Sequence, residues 1–194
     1  MALCEAEITV ELREILLRDR PEALYKISSK GTVPVLQINS KTIIDESLDI
    51  MFWVIDKSKI DWLKNKKIKQ LEMIKINDNE FKHWLDRYKY ADRFPEKTLE
   101  DYQEKCGKFL DSYNSILKNK LYLFGESYQL ADIALFPFIR QCAYIDYNWF
   151  ENNFKNLNGW LNKIKSSSLF LSIMNKYDIW NKEGKGEIVK FKRL

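Results

Sequence analysis

The chain has 194 residues, enough for one domain or two small ones with a hydrophobic core. Hydrophobic residues make up 45% of it and charged residues 31%, which excludes wholesale disorder. The 32 Lys and Arg residues exceed the 28 Asp and Glu residues by only four, so the charge does not indicate a strong polyanion binder. Six Gly and four Pro favour long helices over a loop-rich all-β fold.

Residues 1–56 predict a small α/β unit. Hydrophobic and polar residues alternate across 7–15, as they do in a half-buried strand. A short helix is predicted to begin at Pro21, because proline fits the first turn of a helix. The β-branched runs at 33–38 and 42–44 then predict the two strands of a hairpin.

After the hairpin, helices dominate the predicted structure. A helix over 48–55 follows Asp45, Glu46 and Ser47, which suit the positive end of its dipole. A Lys-rich linker is predicted over 57–66. Beyond it, hydrophobic residues recur with a period near 3.6, which predicts an all-helical bundle.

Few residues have the types and spacing of a catalytic or metal centre. The three cysteines, Cys4, Cys106 and Cys142, form no C-x-x-C pair, and His83 is the single histidine. We therefore expect neither a metal site nor a disulfide framework, and we read His83 as a solvated or packing residue. The chain shows no signal peptide or membrane-spanning run, so we expect a cytosolic protein without a membrane partner.

Two short segments carry the most informative chemistry. Val33-Pro34 lies at the start of a strand, where proline removes a ladder donor and a cis bond would leave the backbone of Val33 open to a peptide-like ligand. Glu46 and Ser47 lie at a helix N-terminus, where free N–H groups and a hydroxyl suit a carboxylate.

Together, Gly31–Leu36 (GTVPVL) and Asp45-Glu46-Ser47 resemble the glutathione-binding elements of the glutathione S-transferase family. Residues 130–140 (LADIALFPFIR) resemble the family's buried bundle helix, and 156–170 resemble its late helices. The resemblance covers nearly the whole chain. It implies a thioredoxin-like N-terminal domain followed by an all-helical C-terminal domain over 67–194, in a homodimer.

The resemblance also implies roles for individual residues. The backbone of Val33, before a cis Pro34, would pair with the cysteinyl part of glutathione. Glu46 and Ser47 would hold the γ-glutamyl end, and Lys30 is a further candidate contact. The implied reaction is conjugation or thiol transfer of glutathione to a small electrophile. Three residues on one predicted helix are candidates for the electrophile cleft, with interhelical packing as the alternative: Trp84, Arg87 and Tyr88.

The start of the chain departs from the family pattern. Met1–Ala6 resembles the end of the family's first helix, so the first strand and most of that helix are lacking by comparison. That segment carries the Tyr, Ser or Cys that stabilises the glutathione thiolate. We therefore expect a truncated thioredoxin-like sheet with a gap, which 187–192 could fill as a strand from this chain or from a dimer mate. A start codon further upstream is the alternative explanation.

Three functions follow as hypotheses. The first is a glutathione transferase, or a glutathione-dependent reductase or isomerase. The second is a non-catalytic interaction module, a scaffold in a transcription, translation or stress assembly, because the fold alone does not settle function. The third, nucleic-acid binding through Lys64–Lys69 and the basic tail, is disfavoured by a net charge of only +4.

Overall fold

The computed structural model describes residues 1–64 and 66–191. Asn65, within the predicted linker, and 192–194, at the end of the predicted C-terminal strand and domain, lie outside the described residues. The chain divides into two compact units. The first comprises Met1–Ile60 together with Ser167–Leu194, and the second comprises Asp61–Ser166.

The N-terminal unit alternates short strands with short helices. Its elements in chain order are α1 (Ala2–Glu5), β1 (Val10–Leu12), α2 (Glu22–Ile27), β2 (Leu36–Gln37), β3 (Ile43–Ile44), α3 (Ser47–Lys57), α10 (Ser168–Ser172) and β4 (Glu187–Val189). Within this unit, α1 packs against α3 and α10. Pro21 is the N-cap of α2 and not its first helical residue, so the helix begins one position later than predicted.

The predicted hairpin is present and is closed by the predicted turn. Strands β2 and β3 pair antiparallel, with Leu36 opposite Ile44 and Gln37 opposite Ile43. Asn39 Oδ1 accepts the N–H groups of Lys41 and Thr42 at 2.8 and 2.9 Å. An asparagine side chain that binds the backbone two and three residues ahead holds the chain in a tight turn.

The C-terminal segment also forms a strand, and its partner is β1. Strands β4 and β1 pair antiparallel, with Val10 opposite Val189 and Leu12 opposite Glu187. Among the described residues, the β1–β4 pair and the β2–β3 hairpin are separate two-stranded sheets. The described part of the predicted strand, Glu187–Val189, therefore comes from the same chain and pairs with the first strand of the unit.

The described residues of the second unit are mainly helical. It contains α4 (Lys67–Ile76), α5 (Lys82–Lys89), α6 (Leu99–Ile116), α7 (Leu130–Ala143), α8 (Tyr147–Asn153) and α9 (Lys155–Lys165). A π-helical turn over Asn77–Phe81 joins α4 to α5. Helix α6 packs against α5 and α9, and α7 packs against α4, α5 and α9.

Helix α7 forms the centre of this unit. Ten of its residues are buried, among them Asp132, whose exposed fraction is 0%. The backbone N–H of Gln129 donates to Asp132 Oδ2 over 2.9 Å, so the carboxylate reaches back to the residue that precedes the helix. None of the helices in the described ranges is both long and apolar enough to cross a bilayer.

Candidate functional site

The loop between α2 and β2 carries the first part of the candidate site. The Val33–Pro34 peptide bond is cis, and Val33 is 47% exposed. Both residues precede β2, so the backbone of Val33 lies outside the ladder that joins Leu36 to Ile44. An exposed backbone segment next to a strand can pair with an extended peptide.

The second part is the beginning of α3. Glu46 is the N-cap, with extended backbone angles (φ −114°, ψ 131°), and Ser47 is the first residue of the helix. The carbonyl of Glu46 accepts the N–H of Ile50 over 3.0 Å, whereas its side chain makes no capping hydrogen bond. Glu46 and Ser47 are both exposed. The first turn of a helix directs N–H groups and a positive partial charge at its N-terminal end, which suits an anion.

Lys30 connects the two parts. Its Nζ lies 2.5 Å from Glu46 Oε1 and 3.2 Å from Asp45 Oδ1. Both hydrogen bonds raise the pKa of Lys30 above its ordinary value, and the bond to Glu46 has the larger effect. The loop that carries Lys30 and Val33 is thus tied to the residues that begin α3.

Sequence reasoning named Asp45 only as part of the motif before α3 and missed its partner, Ser28. Ser28 Oγ donates to Asp45 Oδ2 over 2.8 Å, and Ser28 is buried. The hydrogen bonds from Ser28 and then from Lys30 lower the pKa of Asp45. Asp45 stands next to Glu46 in the motif that the sequence analysis singled out, but the partner of its carboxylate, 17 residues earlier, follows no local pattern.

In this site, Gly31 occupies a backbone conformation that other residues rarely adopt. Its φ is +60°, and a Cβ placed on it would lie 2.3 Å from Cε1 of Tyr25. Glycine fits this position because it has no Cβ to clash with Tyr25 and because it adopts the left-handed conformation at little cost. It turns the chain between Lys30 and Val33.

The three candidates for the electrophile cleft lie on α5 of the helical unit and differ in exposure. Tyr88 is 1% exposed, accepts a hydrogen bond from Gln103 Nε2 over 2.7 Å and packs edge-on against Trp149. Burial raises the pKa of Tyr88 to about 12, so its hydroxyl stays protonated at neutral pH. Its surroundings are those of the interhelical packing that the sequence analysis gave as the alternative.

Trp84 and Arg87 are half-buried. The Arg87 guanidinium lies 4.6 Å from the ring centroid of Phe94, and its Nη1 lies 3.1 Å from His83 Nδ1. Lys105 Nζ lies 5.4 Å from the ring centroid of Trp84. These two side chains form an aromatic and cationic surface, and their role in substrate binding stays a prediction.

The cysteines do not resemble a reactive centre. Cys4, Cys106 and Cys142 form no disulfide, and all three are buried. A hydrogen bond with Cys106 and burial raise the pKa of Cys142, which disfavours its thiolate. Within residues 1–64 and 66–191, no cluster of three or more His, Cys, Asp or Glu side chains could hold a metal ion.

Comparison with known families gives matches over residues 1–167 of the chain. Residues 1–57 match the model of the glutathione S-transferase N-terminal domain, and residues 55–167 match that of the C-terminal domain. No curated protein sequence matches the chain at a significant level.

Solved structures show the same fold at low sequence identity. A glutathione S-transferase from Pseudomonas fluorescens is 19% identical, with a TM-score of 0.63 over 79% of each chain. A delta-class glutathione transferase from Nilaparvata lugens is 23% identical, with a TM-score of 0.67 over 85% of this chain and 80% of that one. A glutathione S-transferase I bound to lactoylglutathione is 21% identical, with a TM-score of 0.68 over 88% of each chain.

The predicted fold class is confirmed in its two parts, a thioredoxin-like N-terminal domain and an all-helical C-terminal domain. The two family models together cover residues 1–167, which include Lys30, the Val33–Pro34 bond and the start of α3. The chain therefore belongs to the glutathione S-transferase family.

Proposed function

We propose that this chain binds glutathione in its N-terminal unit and acts as a glutathione transferase, by conjugation or thiol transfer to a small electrophile. The observation that carries the proposal is the exposed N-terminus of α3, where Ser47 begins the helix and Glu46 is tied through Lys30 to the loop that bears Val33. A solved structure of similar fold contains lactoylglutathione, a glutathione thioester, which supports the same class of ligand.

The chemistry of glutathione fits the groups on this surface. Its γ-glutamyl end carries a carboxylate and an ammonium group. The carboxylate would accept N–H groups of the first turn of α3 and the hydroxyl of Ser47, and the ammonium would pair with Glu46. The cysteinyl residue, an extended peptide, would pair with the backbone of Val33 beside Pro34.

Lys30 would exchange partners when the ligand binds. In the structure its ammonium forms ion pairs with the carboxylates of Asp45 and Glu46. A ligand carboxylate would compete for Lys30, and a ligand ammonium would compete for Glu46. The ion pair between Lys30 and Glu46 thus keeps both side chains next to the N-terminus of α3. When Glu46 pairs with the ligand ammonium, the ion pair with Asp45 would still hold Lys30 in place.

The electrophile would contact Trp84 and Arg87, whose aromatic and cationic groups suit an aromatic or anionic substrate. Tyr88 would support them through its packing against Trp149. We assign no residue of this chain to the stabilisation of the glutathione thiolate. The free thiol has a pKa of about 8.5, so only a small fraction is ionised at neutral pH unless a protein group lowers that value.

The alternative is a non-catalytic module that keeps the glutathione transferase fold for interaction with other proteins. The two functions differ in turnover and not in fold. We further propose that the protein is cytosolic and forms a homodimer, as the family resemblance implies. Light scattering coupled to size exclusion measures the oligomeric state directly.

Calorimetric titration of the full chain with glutathione tests the proposal. We expect binding, and we expect Ser47→Ala to weaken it at least tenfold, because a hydrogen bond to a charged group contributes about 1.5–3 kcal/mol. Ser58→Ala is the matched control. Ser58 is the C-cap at the opposite end of the same helix, so its loss leaves the N-terminus of α3 intact.

Absence of binding at millimolar glutathione, or equal affinity for wild type and Ser47→Ala, would refute the site. Turnover is measured separately with a chloronitroarene as electrophile. Binding that Ser47→Ala weakens, together with no turnover above the uncatalysed rate, would refute the transferase and leave the glutathione-binding module. Conjugation faster than the uncatalysed reaction would establish the enzyme.

A further inference from the structure

The C-terminal segment is attached to β1 by a short ladder. Strand β4 pairs with β1 over three residues on each side, with Glu11 opposite Ile188 at the centre. Before this ladder, the N–H of Trp180 donates to the carbonyl of Glu14 over 2.8 Å, and Ile179 forms a parallel bridge with Glu14. The segment therefore contacts this stretch twice, in a parallel bridge at Glu14 and in an antiparallel ladder over Val10–Leu12.

Charged side chains of β1 and its flank reinforce this pairing. Glu11 Oε1 accepts the N–H of Gly186 over 2.8 Å and forms an ion pair with Arg13 over 2.8 Å. The hydrogen bonds from Gly186 and Arg13 lower the pKa of Glu11, and the bond from Gly186 has the larger effect. The Arg13 guanidinium lies 4.7 Å from the ring centroid of Trp180, so one residue of the segment covers the cation that orients Glu11. These contacts are specific to the residues of the segment and not only to its backbone.

Gly186 sets the closest approach of the segment to β1. A Cβ placed on this residue would lie 2.2 Å from the carbonyl oxygen of Leu12 and 2.8 Å from Cγ of Arg13. The first of these atoms belongs to the backbone and cannot turn aside. A second fixed point lies further back along the segment, where Lys182 Nζ is 2.6 Å from Asp19 Oδ2.

In contrast to these contacts, the segment contributes little to the hydrophobic core. Of residues 174–191, all of which the structure describes, Val189 alone is buried, with 7% of its surface exposed. Ile179 and Ile188 remain 54% and 58% exposed. A segment held by a three-residue ladder and by exposed charges opens locally with a small free-energy change, while the rest of its unit stays folded.

We propose that the edge of β1 is a strand-acceptor site and that residues 177–191 are an exchangeable ligand for it. An open strand edge binds an extended segment through main-chain hydrogen bonds, and contacts such as those of Gly186 and Trp180 give specificity. The identical segment of a second copy presents the same groups, so the partner that this edge fits is the C-terminal segment of another copy of this chain. The inference does not depend on glutathione binding.

The attached segment is expected to exclude the same sequence supplied from solution. Tethering gives it an effective concentration in the millimolar range, so a free peptide at micromolar concentration cannot compete in the wild-type chain. A substitution that disrupts only the tethered copy therefore opens the site. Gly186→Ala is that substitution, because its added methyl group meets the carbonyl of Leu12.

The experiment uses the full chain and a fluorescent synthetic peptide of residues 177–191 with the native sequence. Wild type, Gly186→Ala and Gly159→Ala are titrated by fluorescence anisotropy. A Cβ on Gly159 meets no atom within 4 Å, so this variant is the matched control. We expect Gly186→Ala to bind the peptide at least tenfold more tightly than the other two proteins. A peptide that itself carries Gly186→Ala is expected to bind none of the three.

Hydrogen exchange on the same samples locates the contact. In Gly186→Ala, amides of 187–189 are expected to lose protection, and those of 10–12 are expected to regain it when the native peptide is added. Unchanged protection of 187–189 in this variant would overturn the inference, because the close fit at Leu12 would not be what holds the segment. Release of 187–189 without peptide binding would overturn it as well, because β1 would then accept no strand from outside its own chain.

Discussion

Trp160 donates its indole N–H to Asp132 Oδ1 over 2.8 Å, which links α9 to the first turn of α7 inside the helical unit. The same oxygen accepts the N–H of Leu123 over 2.9 Å. Gln129 N–H donates to the other carboxylate oxygen, so three donors replace the water that burial removes. Burial nevertheless outweighs these donors and raises the pKa of Asp132 to about 6.

Replacement of Trp160 by phenylalanine tests this contact. Trp160→Phe keeps an aromatic ring against Phe136, but it removes one donor to the carboxylate and leaves a small cavity. We expect the free energy of unfolding to fall by about 2–4 kcal/mol, as measured by urea denaturation. Trp149→Phe is the control, because Trp149 is half-buried and contacts the ring of Phe154. Equal losses in the two variants would show that ring volume and not the hydrogen bond is decisive.

The raised pKa of Asp132 predicts a specific dependence of stability on pH. The folded protein binds the proton more tightly than the unfolded chain, whose aspartates titrate near pH 4. The stabilising contribution of this group is therefore complete below about pH 4 and is lost as the pH rises to about 6. Two pKa units correspond to about 3 kcal/mol.

Urea denaturation of wild type and Asp132→Asn at pH 4, 5, 6 and 7 measures this contribution. The unfolding free energy of wild type minus that of Asp132→Asn is expected to be smaller at pH 6 than at pH 4. A difference that stays constant across this range would contradict the assignment of the titration to Asp132.

Substitution by alanine is expected to have opposite effects on stability at Gly31, which lies in a left-handed turn, and at Gly159. Gly31→Ala is expected to destabilise the protein by about 1 kcal/mol, because alanine disfavours a φ of +60° and its methyl group must displace Tyr25. Gly159→Ala, on the open face of α9, is expected to stabilise it by about 0.5–1 kcal/mol. Thermal melts followed by circular dichroism compare the two. A stabilised Gly31→Ala variant would show that the turn tolerates a side chain.

Local patterns in the sequence were sufficient for most of the elements. The alternation across 7–15 correctly indicated a strand, although the regular part is only Val10–Leu12, because the ladder with β4 extends over those three residues alone. The acidic residues before Leu48 correctly placed the beginning of α3. A helix or a hairpin turn depends on residues a few positions apart, so such signals are visible in one sequence.

Within the candidate site, the sequence alone led to Lys30, Val33, Pro34, Glu46 and Ser47, and their assignment to glutathione remains a proposal. The sequence did not reveal Ser28, because a serine that binds an aspartate 17 residues later has no periodic signature. Tyr88 also shows this limit. Its helix was predicted, but whether it faces a cleft or a neighbouring helix depends on Gln103 and Trp149, which lie far along the chain.

Local spacing and short motifs were enough to indicate the family, the order of helices and strands and the cis-proline loop. The partner of the C-terminal strand and the role of Gln70 became visible only in the folded chain. The Gln70 side chain donates to the carbonyl of Trp62 and accepts the N–H of Ala131, 61 residues away. Which distant segments pair depends on which polar groups still lack a hydrogen-bond partner once the helices and strands have come together. That arrangement depends on the whole folded chain and not on a local stretch of sequence.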